Sequence, residues 1–162
     1  MNRLEPELPF ARLGIGLYGY SDIPEFDGIL QPAMTFRSIV LCTRELPQGS
    51  LVSYNALYKL PEDGKLAVIP VGYADGYPRI LSNRTEVLIR GKRVPIRGRI
   101  CMGMMMPDVS NMTDLRSGEE VVLLGRQGDE CITAAELAEK AGTIPHEILC
   151  NFGKHPNRRI VE

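Results

Sequence analysis

Glu86-Val87-Leu88-Ile89-Arg90-Gly91-Lys92-Arg93-Val94-Pro95-Ile96 decides the fold class. Two short apolar runs, Glu86 to Ile89 and Val94 to Ile96, flank Gly91-Lys92, the pattern of a hairpin closed by a glycine turn. Upstream, Lys65 to Val71 is a short apolar run that suits a strand buried on both faces. Residues 34–46 alternate as one strand does, and Pro47-Gln48-Gly49 turns the chain. Downstream, Arg99 to Met106 is a further apolar stretch broken by Pro107. Glu120 to Leu124 closes the series before a turn over Gly125-Arg126-Gln127-Gly128-Asp129. The expected class is mainly β.

The two ends differ from this middle. Thr133-Ala134-Ala135-Glu136 is a capping-box pattern, in which the threonine accepts from a free helix amide and the glutamate reaches back. A helix is expected from Ala134 to Ala141, stopping near Gly142. Thr143 and Pro145 suit the start of a second short helix that runs to about Cys150. At the other end, the first nine residues are polar and proline-broken. Phe10 to Gly19 is apolar and glycine-rich, and residues 20–33 read as a loop.

Composition narrows the classes of function. A chain of 162 residues is long enough for one sizeable core. Its formal net charge of -1 argues against a nucleic-acid binder that relies on bulk positive charge. Arg90, Lys92, Arg93, Arg97 and Arg99 still make a local basic strand pair. That strip fits a non-catalytic β-barrel module for binding or assembly, meeting RNA or an acidic partner. No apolar run approaches bilayer length and no signal pattern precedes it, so a cytoplasmic protein without membrane contact is expected. Cys42, Cys101, Cys131 and Cys150 form no C-x-x-C pair, and the histidines are His146 and His155. Neither a metal site nor a disulfide framework is expected; buried free thiols are.

Two segments look expensive for a plain β-domain. Val52-Ser53-Tyr54-Asn55 follows a turn, and Val71-Gly72-Tyr73-Ala74-Asp75-Gly76-Tyr77-Pro78-Arg79 ends an apolar run. Tyrosines, glycines and an aspartate crowd where strands stop, the place where chemistry is commonly mounted. Pattern alone leaves a second reading open: packing tyrosines with wet hydroxyls, and turn residues serving turns.

With Arg12-Leu13-Gly14-Ile15-Gly16-Leu17-Tyr18-Gly19 ahead of them and Gly98-Arg99-Ile100-Cys101-Met102 behind, these segments resemble the motifs of alanine racemases, in order and spacing. Leu123-Leu124-Gly125 and Ile148-Leu149-Cys150 extend the resemblance over about residues 10 to 160. Each motif alone is weak; four in register are specific. The resemblance implies that residues 1–33 are a remnant of the last strand of a truncated β/α barrel with its linker. Residues 34–162 would be the C-terminal β-barrel domain, with short helices near the C-terminus. It further implies an isomerase that interconverts L- and D-alanine with pyridoxal 5'-phosphate, serving D-alanine biosynthesis for the cell wall. Such an enzyme is a homodimer acting on a small amino acid. Its cofactor lysine belongs to the barrel domain, which this sequence lacks, so the chain alone is expected to be inactive.

The resemblance also assigns roles. Racemisation removes a proton from one face of the α-carbon and returns one to the other, which calls for two acid–base groups. The barrel lysine is one, and Tyr54 matches the other, delivered from the partner subunit; an isolated tyrosine titrates at about pH 10, so it needs help from its surroundings. Arg12 matches the arginine facing the pyridine nitrogen, where a permanent positive charge disfavours protonation. Gly14 and Ile15 match positions whose amides approach the phosphate. Tyr73 matches a tyrosine where substrate enters, and Met102 a backbone contact to the substrate carboxylate. Each has a plainer reading: a packed edge tyrosine, a snorkelling arginine, a turn glycine, a core-filling methionine. Two departures stand out. Gly103-Met104 follow Cys101-Met102 where the family has Asp-Gln. Counting from Cys150, Lys154 falls where the family places a phosphate-reaching tyrosine; it pairs with phosphate as a point charge or is a solvated tail residue. A changed side chain there leaves room for a larger amino acid such as serine.

Overall fold

The computed structural model describes residues 12–21, 23–26 and 28–161. Two compact units emerge, Met1–Met34 and Thr35–Glu162.

In the first unit, Gly14–Tyr18 forms a 3-10 helix and Pro24–Phe26 a second. Arg12 to Gly19, expected as the last barrel strand and its exit loop, holds the first of these turns, and no strand forms there among the described residues; Phe10 and Ala11 lie outside them. The reason is local. Gly14 and Gly19 both take left-handed φ, of 58° and 81°, which curls the segment instead of extending it. No strand among the described residues of this unit offers the ladder that would hold it straight.

The second unit carries the sheets. Its strands are β1 (Phe36–Ile39), β2 (Cys42–Leu46), β3 (Leu51–Val52), β4 (Tyr58–Lys59), β5 (Gly64–Val68), β6 (Glu86–Ile89), β7 (Lys92–Pro95), β8 (Glu120–Gln127) and β9 (Glu130–Ile132). The principal sheet runs β1-β8-β6-β7 with β9 paired to β8, and β2-β5 and β3-β4 are two-stranded. Isolated pairings, Leu66 with Asp108, Ile69 with Met105 and Ile96 with Pro107, join these sheets in place of a continuous ladder. The structure is mainly β, and no closed barrel forms among the described strands.

The opening hairpin forms, with its turn one residue earlier than expected and its second strand running Lys92–Pro95 instead of Val94 to Ile96. Ile89 pairs with Lys92, leaving Arg90 and Gly91 as the turn, both with positive φ, of 52° and 69°. That backbone twist matches the twist of the flanking strands. Other expectations need correction. Residues 34–46 are two strands in different sheets, because Val40, fully buried, turns inward between them. Arg99 to Met106 forms no strand of its own; only Met105 makes a bridge. β8 runs through Gly125 to Gln127, and the turn is at Gly128-Asp129.

Helix α1 (Ala134–Ala141) begins where Thr133 Oγ accepts from the Glu136 amide at 3.1 Å, and ends at Gly142 in the left-handed region. Helix α2 (Pro145–Gly153) runs one turn past Cys150. The core fills the space under the sheet with Ile69, Tyr77, Leu88, Ile96, Ile100 and Leu123, all fully buried. Ile148, Leu149 and Phe152 seat α2 on it, and Cys150 faces outward. The cysteines are free thiols, but none is fully buried; the apolar faces are taken by aliphatic side chains instead. No helix among the described residues is long and apolar enough to cross a membrane.

Candidate functional site

Tyr54 stands on the turn between β3 and β4, with 68% of the residue exposed. Its neighbours Ser53, Asn55 and Ala56 take positive φ, of 65°, 60° and 49°. Left-handed backbone at non-glycine residues costs free energy and persists only where surroundings over-determine it. Here they do. Ser53 Oγ donates to the Arg99 carbonyl at 2.8 Å and lies 3.4 Å from Cys101 Sγ. Asn83 accepts from the Gly98 amide at 2.5 Å and donates to the Leu57 carbonyl at 3.3 Å. The result is a rigid turn that presents a phenol outward instead of packing it.

Tyr77 is the contrast within the same motif class. It is fully buried, its hydroxyl 3.5 Å from Thr85 Oγ, and burial pushes its phenol far above the ordinary tyrosine range. It is a core residue and takes no part in acid–base chemistry.

Tyr73, 43% exposed, opens the Gly72–Tyr77 loop. The Tyr73 amide donates to the Cys101 carbonyl at 3.0 Å and the Ala74 amide to the Met102 carbonyl at 2.9 Å. A Cβ at Gly72 would overlap those two carbonyl oxygens, so only glycine permits this approach. Met102 is 63% exposed, on a turn closed by the Cys101 amide bonding the Met104 carbonyl at 2.9 Å. Both tyrosine loops thus dock on one segment, Arg99 to Met102. The turns that carry Tyr54, Tyr73 and Met102 share one backbone anchor.

A cleft of about 530 Å³ adjoins this cluster, lined by Leu57, Arg79, Ile80, Asn83, Arg84 and Arg99. Arg99 Nε is buried without a hydrogen-bond partner among the described residues. Three guanidinium groups, donors only, make this cleft suited to an anionic group.

The other expected residues lie elsewhere. Arg12, Gly14 and Ile15 belong to the first unit, where Arg12 and Gly14 are exposed. Lys154 caps the end of α2, its side chain exposed. The basic strip is largely spent: Arg90 bonds Glu119 and the Thr113 and Asp114 carbonyls, and Arg93 bonds Glu86, Glu130 and Glu136. Arg97 pairs with Asp108 and lies over the Tyr58 ring. Among the described residues no group of three metal-ligating side chains converges.

Sequence reasoning quoted Ser53 and Asp75 within the two segments without giving either a role, and passed over Asn83. Asp75, three residues after Gly72, carries a legible signal, since that spacing suits a side chain that caps a backbone amide. Ser53 and Asn83 carry none, because their partners lie far along the chain.

Residues 33–160 match the family model described as alanine racemase, C-terminal domain. The chain belongs to the alanine racemase family. This racemase domain is 46% identical over 155 residues to the alanine racemase of Halothermothrix orenii, covering 93% of this chain and 40% of that relative. Against the one from Methylacidiphilum infernorum the identity is 44%, covering 92% and 38%. The chain spans about two fifths of the length of these curated relatives. Its structure is similar to the alanine racemase of Bacillus anthracis with bound L-Ala-P, at TM-score 0.78 and 38% identity, covering 86% of this chain and 36% of that one. The biosynthetic alanine racemase of Pseudomonas aeruginosa gives TM-score 0.79 at 32% identity, covering 90% and 40%.

Proposed function

We propose that the chain is the C-terminal part of a pyridoxal-phosphate-dependent racemase of alanine, and that Tyr54 is the acid–base group it donates across a subunit interface. The observation that carries this reading is the outward Tyr54, held on a strained turn beside Tyr73 and Met102. A protein rarely fixes an exposed phenol at such cost without a use for it. On this reading residues 1–33 end a barrel and its linker, and residues 34–162 form the second domain.

The residues present fit one side of the cofactor. Arg12 is exposed, and the space a Cβ would fill at Gly14 is open. Gly14 and Ile15 open a 3-10 turn, so their amides have no carbonyl of that turn to bond. Bound pyridoxal phosphate supplies a sink for the electron pair left on the α-carbon when its proton departs. Arg12 would keep a permanent positive charge beside the ring nitrogen, and the Gly14 and Ile15 amides would hold the phosphate. Lys154, by the resemblance, would offer a point charge to a phosphate. Tyr54 would hold or move the proton at the α-carbon from the face opposite the barrel's lysine. Tyr73 and the Met102 backbone would orient the substrate, and the arginine cleft would attract its carboxylate.

The test is turnover of L-alanine in the racemase polypeptide that carries this domain. Tyr54→Phe should lower kcat about 10²- to 10⁴-fold, the usual worth of a positioned acid–base group. Unchanged turnover rejects the assignment. The chain by itself should racemise nothing, and borohydride after addition of pyridoxal phosphate should trap no adduct at one specific lysine; such an adduct overturns that part. Comparing L-alanine with L-serine in the same assay decides whether Gly103-Met104 and Lys154 widen the substrate range, and strict preference for alanine rejects that expectation. The rival binding-module reading is weakened by the paired arginines of its basic strip. Salt-dependent retention of RNA by the chain in a filter-binding titration would revive it.

A further inference from the structure

We infer that Asp75 is a positioning residue, a latch that sets where Tyr73 and Met102 stand; the inference rests on the reading of those two as substrate contacts.

The Gly72–Tyr77 loop touches two parts of the fold. On one side its Tyr73 and Ala74 amides bond the Cys101 and Met102 carbonyls. On the other side Gly76, with φ of 93°, sits so close to the Asn151 carbonyl in α2 that a Cβ there would overlap it. Asp75 lies between these anchors, bonding within the loop on one side and facing the end of α2 on the other. Its Oδ2 accepts from the Gly72 amide at 2.8 Å, which closes the loop on itself. Its Oδ1 lies 3.7 Å from His155 Nε2, just past the end of α2.

His155 is itself oriented. Its Nδ1 accepts from the Asn157 amide at 3.2 Å, which leaves the proton of a neutral ring on Nε2, facing the carboxylate. Its ring is tilted against Phe36 with centroids 5.6 Å apart, and Phe36 stacks on Phe152 of α2 at 4.8 Å. The carboxylate thus faces an oriented ring on the α2 side and holds the Gly72 amide on the other. Since Gly72 abuts the Cys101 and Met102 carbonyls, a change at Asp75 is passed to both walls of the cluster, yet Asp75 need not touch substrate. Loss of such a latch loosens substrate placement more than it alters proton transfer, which predicts an effect on KM ahead of kcat.

The experiment has two arms. In this chain, amide hydrogen exchange is followed at Gly72, Tyr73 and Ala74, with Leu123 of β8 as reference. Asp75→Ala should lower protection at the three loop amides at least tenfold and leave Leu123 unchanged. Asp75→Asn, which keeps an acceptor for the Gly72 amide, should restore most of it. Unchanged loop protection, or equal loss at Leu123, overturns the latch. In the racemase polypeptide that carries this domain, Asp75→Ala should raise KM for L-alanine about fivefold to tenfold with kcat within twofold, and Asp75→Asn should recover it. Tyr73→Ala separates the two ideas. If it raises KM while Asp75→Ala does not, the positioning inference fails and the substrate-contact reading stands. If neither variant moves KM, that reading fails, and the inference with it.

Discussion

Arg93 is the most connected charge of the domain, and replacing it gives a sharp test of how the sheet is tied to α1. Its guanidinium donates to Glu136 at 2.8 Å and 3.0 Å, to Glu130 at 2.8 Å, to Glu86 at 3.3 Å, and to the Cys131 carbonyl. The side chain is 29% exposed and that of Glu136 is 24% exposed, whereas Glu130 is 44% exposed. The wetter pairs with Glu130 and Glu86 contribute about 0.5 kcal/mol or less each. The bidentate pair with Glu136, half sheltered, contributes about 1 kcal/mol or somewhat more, and the carbonyl bond about as much. Arg93→Met, which keeps the apolar stem, should therefore destabilise the fold by about 2 to 3 kcal/mol, or roughly 5 to 10 °C in Tm.

Acidity supplies a second handle on the same residue. Hydrogen bonding from Arg93, then from Lys140, holds the Glu136 carboxyl below its usual range. A carboxylate depressed in the folded state contributes stability that is fully present above the unfolded value of about 4.3 and is lost as pH falls through the folded value. The gap between wild type and Arg93→Met should thus be constant near neutrality and narrow below about pH 4. Urea denaturation followed by circular dichroism measures both quantities. An Arg93→Met midpoint equal to wild type at pH 7, or a gap that persists undiminished at pH 3, refutes this account of the cluster.

Three further outcomes are expected. Tyr54→Phe should leave the Tm of the chain within about 1 °C of wild type, because the substitution removes only a hydroxyl from a largely exposed side chain; a larger drop by calorimetry would show that the hydroxyl holds the fold together. Gly72→Ala should cost about 1 to 3 kcal/mol, as overpacking against the Cys101 and Met102 carbonyls forces the loop away, and urea unfolding at the wild-type midpoint would contradict the close approach. Thr133→Ala should cost about 1 kcal/mol through loss of the α1 cap, with Tm as the readout and no change counting against the cap.

Local chemistry explains what was legible in the sequence. The Thr133 cap, the stop at Gly142 and the glycine-turned hairpin each depend on a few neighbouring residues; the first two stand where the pattern put them, and the turn lies one residue earlier, at Arg90-Gly91. Tyr54, Tyr73 and Met102 were legible by resemblance, yet the sequence carried no sign of what joins them. Their common anchor, Arg99 to Met102, meets partners dozens of positions away in the chain. The same distance hid the fate of the basic strip, where Arg93 is matched by glutamates of β6, β9 and α1, Arg90 by Glu119 and Arg97 by Asp108.

Tertiary structure alone decided the rest. It split residues 34–46 between two sheets, β1 pairing with β8 and β2 with β5 on either side of the fully buried Val40. It curled Gly14–Tyr18 into a 3-10 turn within the segment expected to hold a strand and its exit loop, since no strand among the described residues of that unit offers its backbone a partner. It buried Tyr77 and exposed Tyr73 although they share one loop. Turns and caps answer to interactions within a few residues; strand pairing, burial and the meeting of loops answer to the whole chain, and a sequence read segment by segment does not display them.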